Sequence, residues 1–263
     1  MSIFYVKLLE TLLTEMSKVT NEGYFILPES ILKSTNWEFL IICVKGFMGR
    51  LHFKFDWQKA TQALAYFADK EGGRINKMKS LKLIYFADRY HLRKYGRLVT
   101  NDNYLAMQHG PVPSTTKDIA EANDYLDEFI LEYSRDYIEP VNNLVLEAVN
   151  EIDETVLSES DLEALEFAWN IFGHLNQYEL RDQTHLYPEW LKHASDLDSA
   201  SCLPIDILDF LQDPDGEIEK CFELDENTRL IRSEQITELA FIDSLWGQDA
   251  RGTDASIYHQ KLW

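Results

Sequence analysis

The sequence predicts a mainly helical fold with a small β element, an α+β arrangement of one helical domain with an extension at each end. Apolar residues recur at helical spacing in several segments from Trp57 onward, whereas one short segment, "NYLAMQ" (103–108), alternates as a strand does. The chain has 263 residues, 45% of them hydrophobic. A chain of this length buries roughly three quarters of its unfolded surface, so it needs no cross-links to fold.

Residues 1–47 are predicted to form an N-terminal extension. A helix over residues 4–18 precedes a short apolar run, "FLIICVKGF" (39–47), that has no clear period. Met48 follows directly, so one interpretation is that translation begins there; the other is that the extension packs as a short helix and strand. Charged residues interrupt the first helix and the apolar run is too short to cross a bilayer, so we expect neither a signal peptide nor a membrane span.

Two helices follow. The first begins at Trp57 and is stopped by the glycines of "EGG", since glycine readily adopts the positive φ of helix ends. The second starts after Asn76, a good N-cap, and ends at Gly96. Its apolar stripe contains Asp88 and His91, and an unpaired buried polar group costs about 1 to 3 kcal/mol. Both side chains must therefore bond to each other or to partners elsewhere, whereas the basic residues of this helix are expected on its solvated face.

A stiff loop, "HGPVPS" (109–114), comes after a turn and the predicted strand. Each of its two prolines restricts the preceding residue to extended or turn geometry. Its last residue, Ser114, is expected to cap a helix that opens at Thr115. Helices are predicted over 115–124 and 139–151, with "FILEYSRDYI" between them as a strand or hairpin arm.

Four further elements are predicted in the second half of the chain from capping and turn signals. They are a helix after a Ser158–Asp161 capping box, a turn at Pro188 with Trp190 packing back, a short helix over 203–211, and a helix over 233–246 capped by Ser233.

The formal net charge is -20, and most of the acidic excess lies late in the chain. Residues 1–150 hold 19 acidic and 18 basic side chains, whereas residues 151–263 hold 26 and 7. Such a surface repels nucleic acid and attracts basic partners, whose encounter it speeds by about tenfold to a thousandfold at low salt. The alternative is that the charge only keeps the chain soluble.

Cysteine use points to a reducing compartment. Cys43, Cys202 and Cys221 lie far apart without a CxxC pair, so neither a disulfide framework nor a thiolate metal site is indicated. A cytoplasmic location is therefore predicted.

The usual signatures of catalysis and of cofactor binding do not occur in the sequence. The seven histidines show no zinc-like spacing, and there is no GxSxG, Walker or GxGxxG motif. A base and nucleophile pair of His109 and Ser114 is disfavoured, because a capping hydroxyl is engaged by backbone N–H groups. We predict no catalytic residue, no metal and no cofactor. The basic and aromatic segment "RYHLRKYGR" (89–97) favours nucleic-acid binding locally, but the acidic remainder opposes it, so direct binding is not expected.

Several segments together resemble the Panacea domain of SocA-like antitoxins, which also occurs in phage-associated proteins. They are "DWQKATQALAYFADKEGG", "LKLIYFADRYHLRKYGR", "NYLAMQHGPVPS", "YELRDQTH" and "PEW". The resemblance covers residues 53–195. We place a Panacea-like domain at 48–211, followed at 212–263 by an acidic extension with one helix and a mobile end. The matching motif positions are Asp88, Arg89, His91, His109, Gly110, Pro111, Val112, Pro113, Ser114, Thr184 and His185.

The resemblance implies a bacterial or phage antitoxin of a toxin-antitoxin system, which binds a cognate toxin protein and blocks it without catalysis. At least one branch of the family delivers its toxin to a ClpXP-type protease, so such a protease is an implied second partner. Because this chain is acidic, we expect the toxin to be basic.

Two interpretations of the motif stay open. In the first, the stiff loop 109–114 and the helix face with Asp88, Arg89 and His91 form a docking surface, since a preordered loop loses little entropy on binding. In the second, the aspartate and histidine side chains of the motif form a buried hydrogen-bonded cluster that fixes the fold.

Two rival functions also stay open. One is a hydrolase that uses His109, His185 and Asp88 in a shared cleft. The other is a DNA-binding regulator of its own operon, which requires an exposed basic face over residues 89–97.

Overall fold

The computed structural model describes residue 51, residues 53–215 and residues 223–247. The predictions for residues 1–47 and for a mobile C-terminal end lie outside the described residues. In the described part the fold is mainly α with a small β element, as predicted. Its α-helices are α1 (Trp57–Lys70), α2 (Lys77–Tyr95), α3 (Ser114–Glu121), α4 (Glu128–Tyr137), α5 (Glu159–Phe172), α6 (Gln177–Thr184), α7 (Pro188–Leu191) and α8 (Glu226–Gly247).

Short strands form two antiparallel sheets within the described residues. One sheet has the order β1-β5-β4 and the other the order β3-β2-β6. The predicted strand "NYLAMQ" is confirmed as β2, the centre of the second sheet, and the predicted stiff loop supplies its neighbour β3. The strands are β1 (Arg74–Asn76), β2 (Tyr104–Met107), β3 (Gly110–Pro113), β4 (Ile138–Pro140), β5 (Val145–Ala148) and β6 (Cys202–Pro204).

Helix α2 is the central element of the core. It packs against α1, α5, α6, both sheets and the 3₁₀ turn Ile207–Leu211. Asn76 caps it as predicted, with the side chain accepting from the Lys79 N–H, and Gly96 ends it with a φ of 79°. Because α2 has neighbours on almost every side, its polar residues lie in the interior together with its apolar ones.

The predicted solvated basic face of α2 is therefore wrong. Lys82, Arg89 and Arg93 are at most 3% exposed. Each of the three side chains donates a hydrogen bond to a main-chain carbonyl oxygen of another segment. These bonds offset part of the cost of removing a cation from water, which is why the interior tolerates them.

Between α3 and α5 the prediction is wrong: the predicted strand is a helix and the predicted helix is a β-hairpin. "FILEYSRDYI", predicted as a strand, supplies most of α4, whose buried side chains recur at helical spacing. The predicted helix over 139–151 contains instead the hairpin β4–β5. Within the hairpin turn the side chain of Asn142 accepts two backbone N–H groups. The turn-forming tendency of "VNN" therefore outweighs the helical pattern around it.

Three predictions about helix ends and short helices are wrong. Ser114 is the first residue of α3 and not its cap, because the carboxylate of Asp102 accepts the N–H groups of that first turn. Ser233 lies inside α8, which begins after Asp225. Residues 203–211 form the end of β6 and a 3₁₀ turn rather than an amphipathic helix.

Helix α8 is attached to the C-terminal end of α2. Arg232 of α8 donates from Nε to the carbonyl of Arg93 at 3.2 Å and from Nη2 to the carbonyl of Lys94. These carbonyls belong to the last turn of α2 and have no partner within their own helix. Ile236 and Ala240 of α8 are fully buried. The C-terminal helix therefore packs on the helix that carries the motif, while the predicted domain boundaries stay predictions.

Candidate functional site

The predicted motif positions lie on α2, on the β2–β3 hairpin, at the first residue of α3 and at the end of α6. The side chains of Asp88, Arg89 and His91 are completely buried. On the hairpin the whole of β3 is buried, whereas His109 in the preceding turn is exposed. The two motif residues at the end of α6 are buried or half-buried. Most of the motif is thus inside the protein, in the separate networks described below.

Asp88 fixes the segment that follows α2. Its carboxylate accepts the N–H groups of Val99 at 2.7 Å and Thr100 at 3.1 Å. It also accepts the hydroxyls of Thr100 at 2.6 Å and Tyr104 at 2.8 Å. Burial raises the pKa of Asp88 to about 6, although these donors act in the opposite direction. The prediction that Asp88 takes partners from elsewhere is confirmed. Its hydrogen bonds fix the segment that connects α2 to β2.

His91 belongs to a second buried network, centred on Asp161 of α5. Its Nδ1 lies 2.8 Å from the carbonyl oxygen of Arg97, and its Nε2 lies 3.0 Å from Ser160 Oγ and 3.4 Å from an Asp161 oxygen. Burial lowers the pKa of His91 to about 4, so the ring is neutral at pH 7. Asp161 closes the predicted capping box of α5 and also accepts Lys59 Nζ at 2.7 Å. The network therefore joins α1, α2 and α5.

Arg89 links α2 to α7 and to the segment that leads towards α8. Its Nε lies 2.8 Å from Oε1 of Glu189, and neither side chain is exposed. The hydroxyl of Tyr85 donates to the same Glu189 oxygen at 2.5 Å, and the guanidinium lies 4.6 Å from the centre of the Tyr187 ring. Nη2 donates to the carbonyl of Gln212 at 2.6 Å. Arg89 thus connects three segments of the fold through buried contacts.

The β2–β3 hairpin rests on Lys82 and on the end of α6. Gly110 has a φ of +95°, and a Cβ added there would lie 2.4 Å from Thr184 Oγ1 and 2.8 Å from Lys82 Nζ. Only glycine fits this position without a shift of its neighbours. Lys82 Nζ donates to the carbonyl of Pro111 at 2.7 Å, and burial lowers the pKa of this lysine to about 7. The "HGPVPS" and "RDQTH" motifs therefore meet over a buried lysine.

The exposed part of this site is the turn of the hairpin beside the end of α6. The His185 ring stacks on Trp190 with 3.7 Å between centroids and 6° between planes. The Trp190 indole N–H donates to the carbonyl of Met107 at 2.8 Å, which confirms that this tryptophan packs back. Burial, and then the positive charge of Lys82, lower the pKa of His185 to about 4. Only His109 of the motif histidines is exposed.

Sequence reasoning missed Lys82, Asp102 and Glu189, and it recognised Asp161 only as a capping residue. A signal existed for Lys82, because "LKLIYFA" is too continuously apolar to leave a solvated face. Glu189 lies in "YPEWL", where nothing local indicates that its carboxylate is buried. Its partner Arg89 is a hundred residues away in the chain, so only the tertiary fold reveals the pair.

The described surface carries many cations that are already neutralised by a neighbouring acid. In each of the following pairs a basic nitrogen lies within ion-pairing distance of a carboxylate oxygen. Exposed ion pairs contribute little stability, but they cancel the positive field that a nucleic acid would need. The pairs are Arg74–Glu147, Lys94–Glu163, Lys117–Glu121, Arg135–Glu128 and Lys192–Asp209.

In the described ranges, no group of three or more histidine, cysteine, aspartate or glutamate side chains could hold a metal ion. None of the helices in that part of the chain combines the length and apolarity that a bilayer crossing requires.

A comparison with protein-family models matches residues 81–191 to the family described as "Antitoxin SocA-like, Panacea domain". The predicted resemblance is confirmed over this range, which contains every motif position. Residues 53–80 and 192–195, which the prediction also included, lie outside the matched range. Comparisons with curated proteins and with solved structures gave no match.

Proposed function

Because residues 81–191 match the antitoxin SocA-like Panacea domain, we propose that this chain is an antitoxin that neutralises a cognate protein toxin by binding it. Neutralisation results from a stoichiometric complex and not from catalysis. The cytoplasm is the proposed place of action, on the basis of the cysteine pattern.

The observation that best supports binding over catalysis is the internal engagement of the polar motif side chains. Asp88 is committed to four donors of the segment after α2, and Arg89 is committed to a buried carboxylate. His91 is neutral and bonded on both ring nitrogens. A general acid or base must reach a substrate within hydrogen-bond distance, and completely buried groups do not.

The placement of the motif also disfavours the hydrolase alternative. That alternative needs Asp88, His109 and His185 around one open cleft, with a nucleophile and a base in hydrogen-bond reach. Instead Asp88 closes an interior loop, His109 lies exposed in a hairpin turn, and the His185 ring is stacked on Trp190.

The DNA-binding alternative requires exposed bases between residues 89 and 97. Arg89 and Arg93 are buried, whereas Lys94 and Arg97 are paired with carboxylates. The segment that looked basic in the sequence therefore offers little free positive charge to phosphate groups.

Burial also reduces the predicted docking surface. Asp88, Arg89 and His91 are completely buried, which disfavours the predicted docking role for them and supports the alternative of a buried structural role. The exposed part of the predicted docking surface is the turn at His109. The hairpin that carries this turn is positioned by Lys82 and by the close packing at Gly110. We keep this turn as a proposed contact, because a preordered loop binds with a small entropy cost.

Two finer features belong to the same proposal. The toxin is basic, because acids dominate the charge of this chain and opposite charge speeds encounter. The complex is then delivered to a ClpXP-type protease, as the family resemblance implies. A toxin half-life that is the same in cells with and without that protease would remove the second feature and leave neutralisation intact.

The direct test is co-expression with the product of the adjacent gene, placed under an inducible promoter. Colony counts should rise by several orders of magnitude when this chain is present, and the two purified proteins should elute as one complex. The dissociation constant should increase clearly between 50 mM and 300 mM NaCl, since salt screens attraction between charges. Unchanged killing in the presence of folded chain would refute the proposal; salt-independent binding would refute only the basic toxin.

A further inference from the structure

A row of four aromatic rings runs along one side of α4 and continues onto the start of α1. Phe129 meets Trp57 edge-to-face with 5.5 Å between ring centroids, and Trp57 meets Tyr133 at 5.0 Å. Tyr133 in turn lies 5.0 Å from Tyr137. We call these four residues the aromatic strip.

The aromatic strip lies at the edge of the core and is partly exposed to solvent. Phe129 is 44% exposed, and the other three rings are half-buried. The buried side chains of α4 are Ile130, Leu131 and Ser134, whereas two rings of the strip pack only partly against the core. The inner part of the strip therefore helps to hold α4, and its outer part, with Phe129 at the exposed end, is available to a partner.

Tyr133 of the strip is held by a polar contact with a buried side chain of α1. The amide of Gln62 donates to the hydroxyl of Tyr133 at 2.8 Å, and the carbonyl oxygen of Gln62 accepts the N–H of Asp153 at 2.9 Å. Edge-to-face packing further restricts ring rotation. Rigid aromatic side chains with two side-chain torsions lose little entropy on binding, which is why such groups anchor protein interfaces.

Acidic side chains border the strip. Glu132 and Asp136 are exposed on α4, one helical turn apart, and each directly precedes a tyrosine of the strip in the sequence. The single arginine of this helix, Arg135, is paired with Glu128 at 3.1 Å. Over residues 118–154 the chain has twelve acidic side chains and one basic side chain. The acidic excess therefore begins well before the second half of the chain, in the part of the sequence that contains α4.

We infer that the aromatic strip and its acidic border form the contact surface for a basic segment of the toxin, whose arginine or lysine side chains lie on the rings and pair with Glu132 and Asp136. This inference rests on the proposed antitoxin function. A cation over an aromatic ring is attracted by the ring's negative face, and the attraction is larger when the contact is desolvated. Arginine suits this surface best, since its planar group stacks on rings and binds carboxylates in pairs.

Other occupants fit the surface less well. A second copy of this chain would bring its own acidic border against the first, and like charges across an interface repel. Nucleic acid is repelled for the same reason. An apolar partner would cover Phe129 but would leave the carboxylates of Glu132 and Asp136 desolvated without a counter-charge.

Matched variants test the inference in the full-length chain. Phe129→Ala removes the exposed end of the strip, and Glu132→Lys with Asp136→Lys reverses its border. The control for Phe129→Ala is Leu239→Ala, because Leu239 is an apolar residue that is 42% exposed on α8. The control for the charge reversal is Glu238→Lys, which changes an exposed acid on the same helix. The probe is the purified product of the adjacent gene, with affinity measured by calorimetry and protection measured by colony counts.

Phe129→Ala is expected to weaken binding by about tenfold or more, the usual loss at an aromatic anchor. The double charge reversal is expected to weaken binding further and to reduce its salt dependence. Both controls should bind within about threefold of the wild type, and all variants should melt within a few degrees of it.

Three results would overturn the inference. Equal losses in the strip variants and in their controls would mean that the strip is not a specific contact surface. Full affinity in the strip variants would place the contact elsewhere, with wild-type protection still supporting the antitoxin function. A large fall in melting temperature without loss of affinity would mean that this chain's own residues cover the strip. Failure of the wild type itself to protect cells is a different outcome and refutes the proposed function.

Discussion

The motif on α2 and the aromatic strip on α4 differ in where they place their polar and aromatic side chains: the motif buries them, and the strip leaves them partly exposed. On α2, Asp88, Arg89 and His91 are completely buried, and each has hydrogen-bond partners inside the protein. On α4, Phe129 and Glu132 face solvent beside rings that are only half-buried. The first arrangement stabilises this chain, whereas the second leaves binding groups available to another.

This difference explains why the most recognisable residues are not the surface residues. Burying a charge is tolerated only with a fixed set of partners, so a motif built from such residues needs particular side chains at particular places. A contact surface needs only rigid anchors and suitable charge, which many sequences supply. A family motif can therefore mark the scaffold while the surface that meets a partner carries no comparable pattern.

The strongest test of this contrast is Arg89→Ala, which leaves the Glu189 carboxylate buried without its counter-charge. We expect the free energy of unfolding to fall by about 3 to 5 kcal/mol, measured by urea denaturation. Replacing both partners, Arg89→Met with Glu189→Leu, should recover most of that loss. Lys94→Ala, in the exposed part of the same helix, should cost about 1 kcal/mol or less. A loss below about 1 kcal/mol for Arg89→Ala would show that the motif arginine is not structural.

The features that depend on nearby residues could be predicted from the sequence, whereas those that depend on the tertiary fold could not. Local rules predicted α1 and α2 with their ends, the strand β2, and the capping box of α5, because each depends on neighbours within a few residues. The need for partners at Asp88 and His91 was also predictable, since their positions on an apolar stripe imply burial. The identity of those partners was not, because Tyr104 and Ser160 are placed by the fold.

The errors have equally specific physical causes. Solvation of the basic residues of α2 was assumed from the usual amphipathic pattern, but a helix surrounded on nearly all sides buries its lysines and arginines too. Ser114 failed as a cap because Asp102, a stronger acceptor, lies close in space to the same N–H groups. The β4–β5 hairpin was missed because the turn chemistry at Asn142 competed with an apparent helical period.

A test of intermediate size uses the pH dependence of stability at Lys82. The pKa of this side chain is about 7 in the folded protein and about 10.4 in an unfolded chain. Between these values the unfolded chain binds more protons, so stability rises with pH across this window. With 1.36 kcal/mol per pH unit, the contribution between pH 7 and 9 is about 2 kcal/mol.

The measurement compares urea denaturation of the wild type and of Lys82→Met from pH 6 to 9.5. The charge of Lys82 acts on His185, which is also influenced by His109, Arg181 and Asp182, and these four groups are present in both proteins. The difference between the two proteins therefore reports the titration of Lys82 together with its effect on His185. The wild type should gain stability relative to the variant as pH rises above 7. Parallel curves would mean that Lys82 keeps its charge in the folded protein and that the hairpin does not rest on a desolvated amine.

The smallest effect on stability is expected at His109, the exposed histidine of the otherwise buried motif. His109→Ala should change the free energy of unfolding by less than about 0.5 kcal/mol, as surface substitutions usually do. If the hairpin turn is a toxin contact, the same variant should protect cells several times less well against the adjacent gene product. Gln108→Ala, in the same exposed turn, is the matched comparison. A lowered melting temperature with unchanged protection would place His109 with Asp88 and His91 as scaffold, because a solvent-facing contact residue loses binding and not stability when it is truncated.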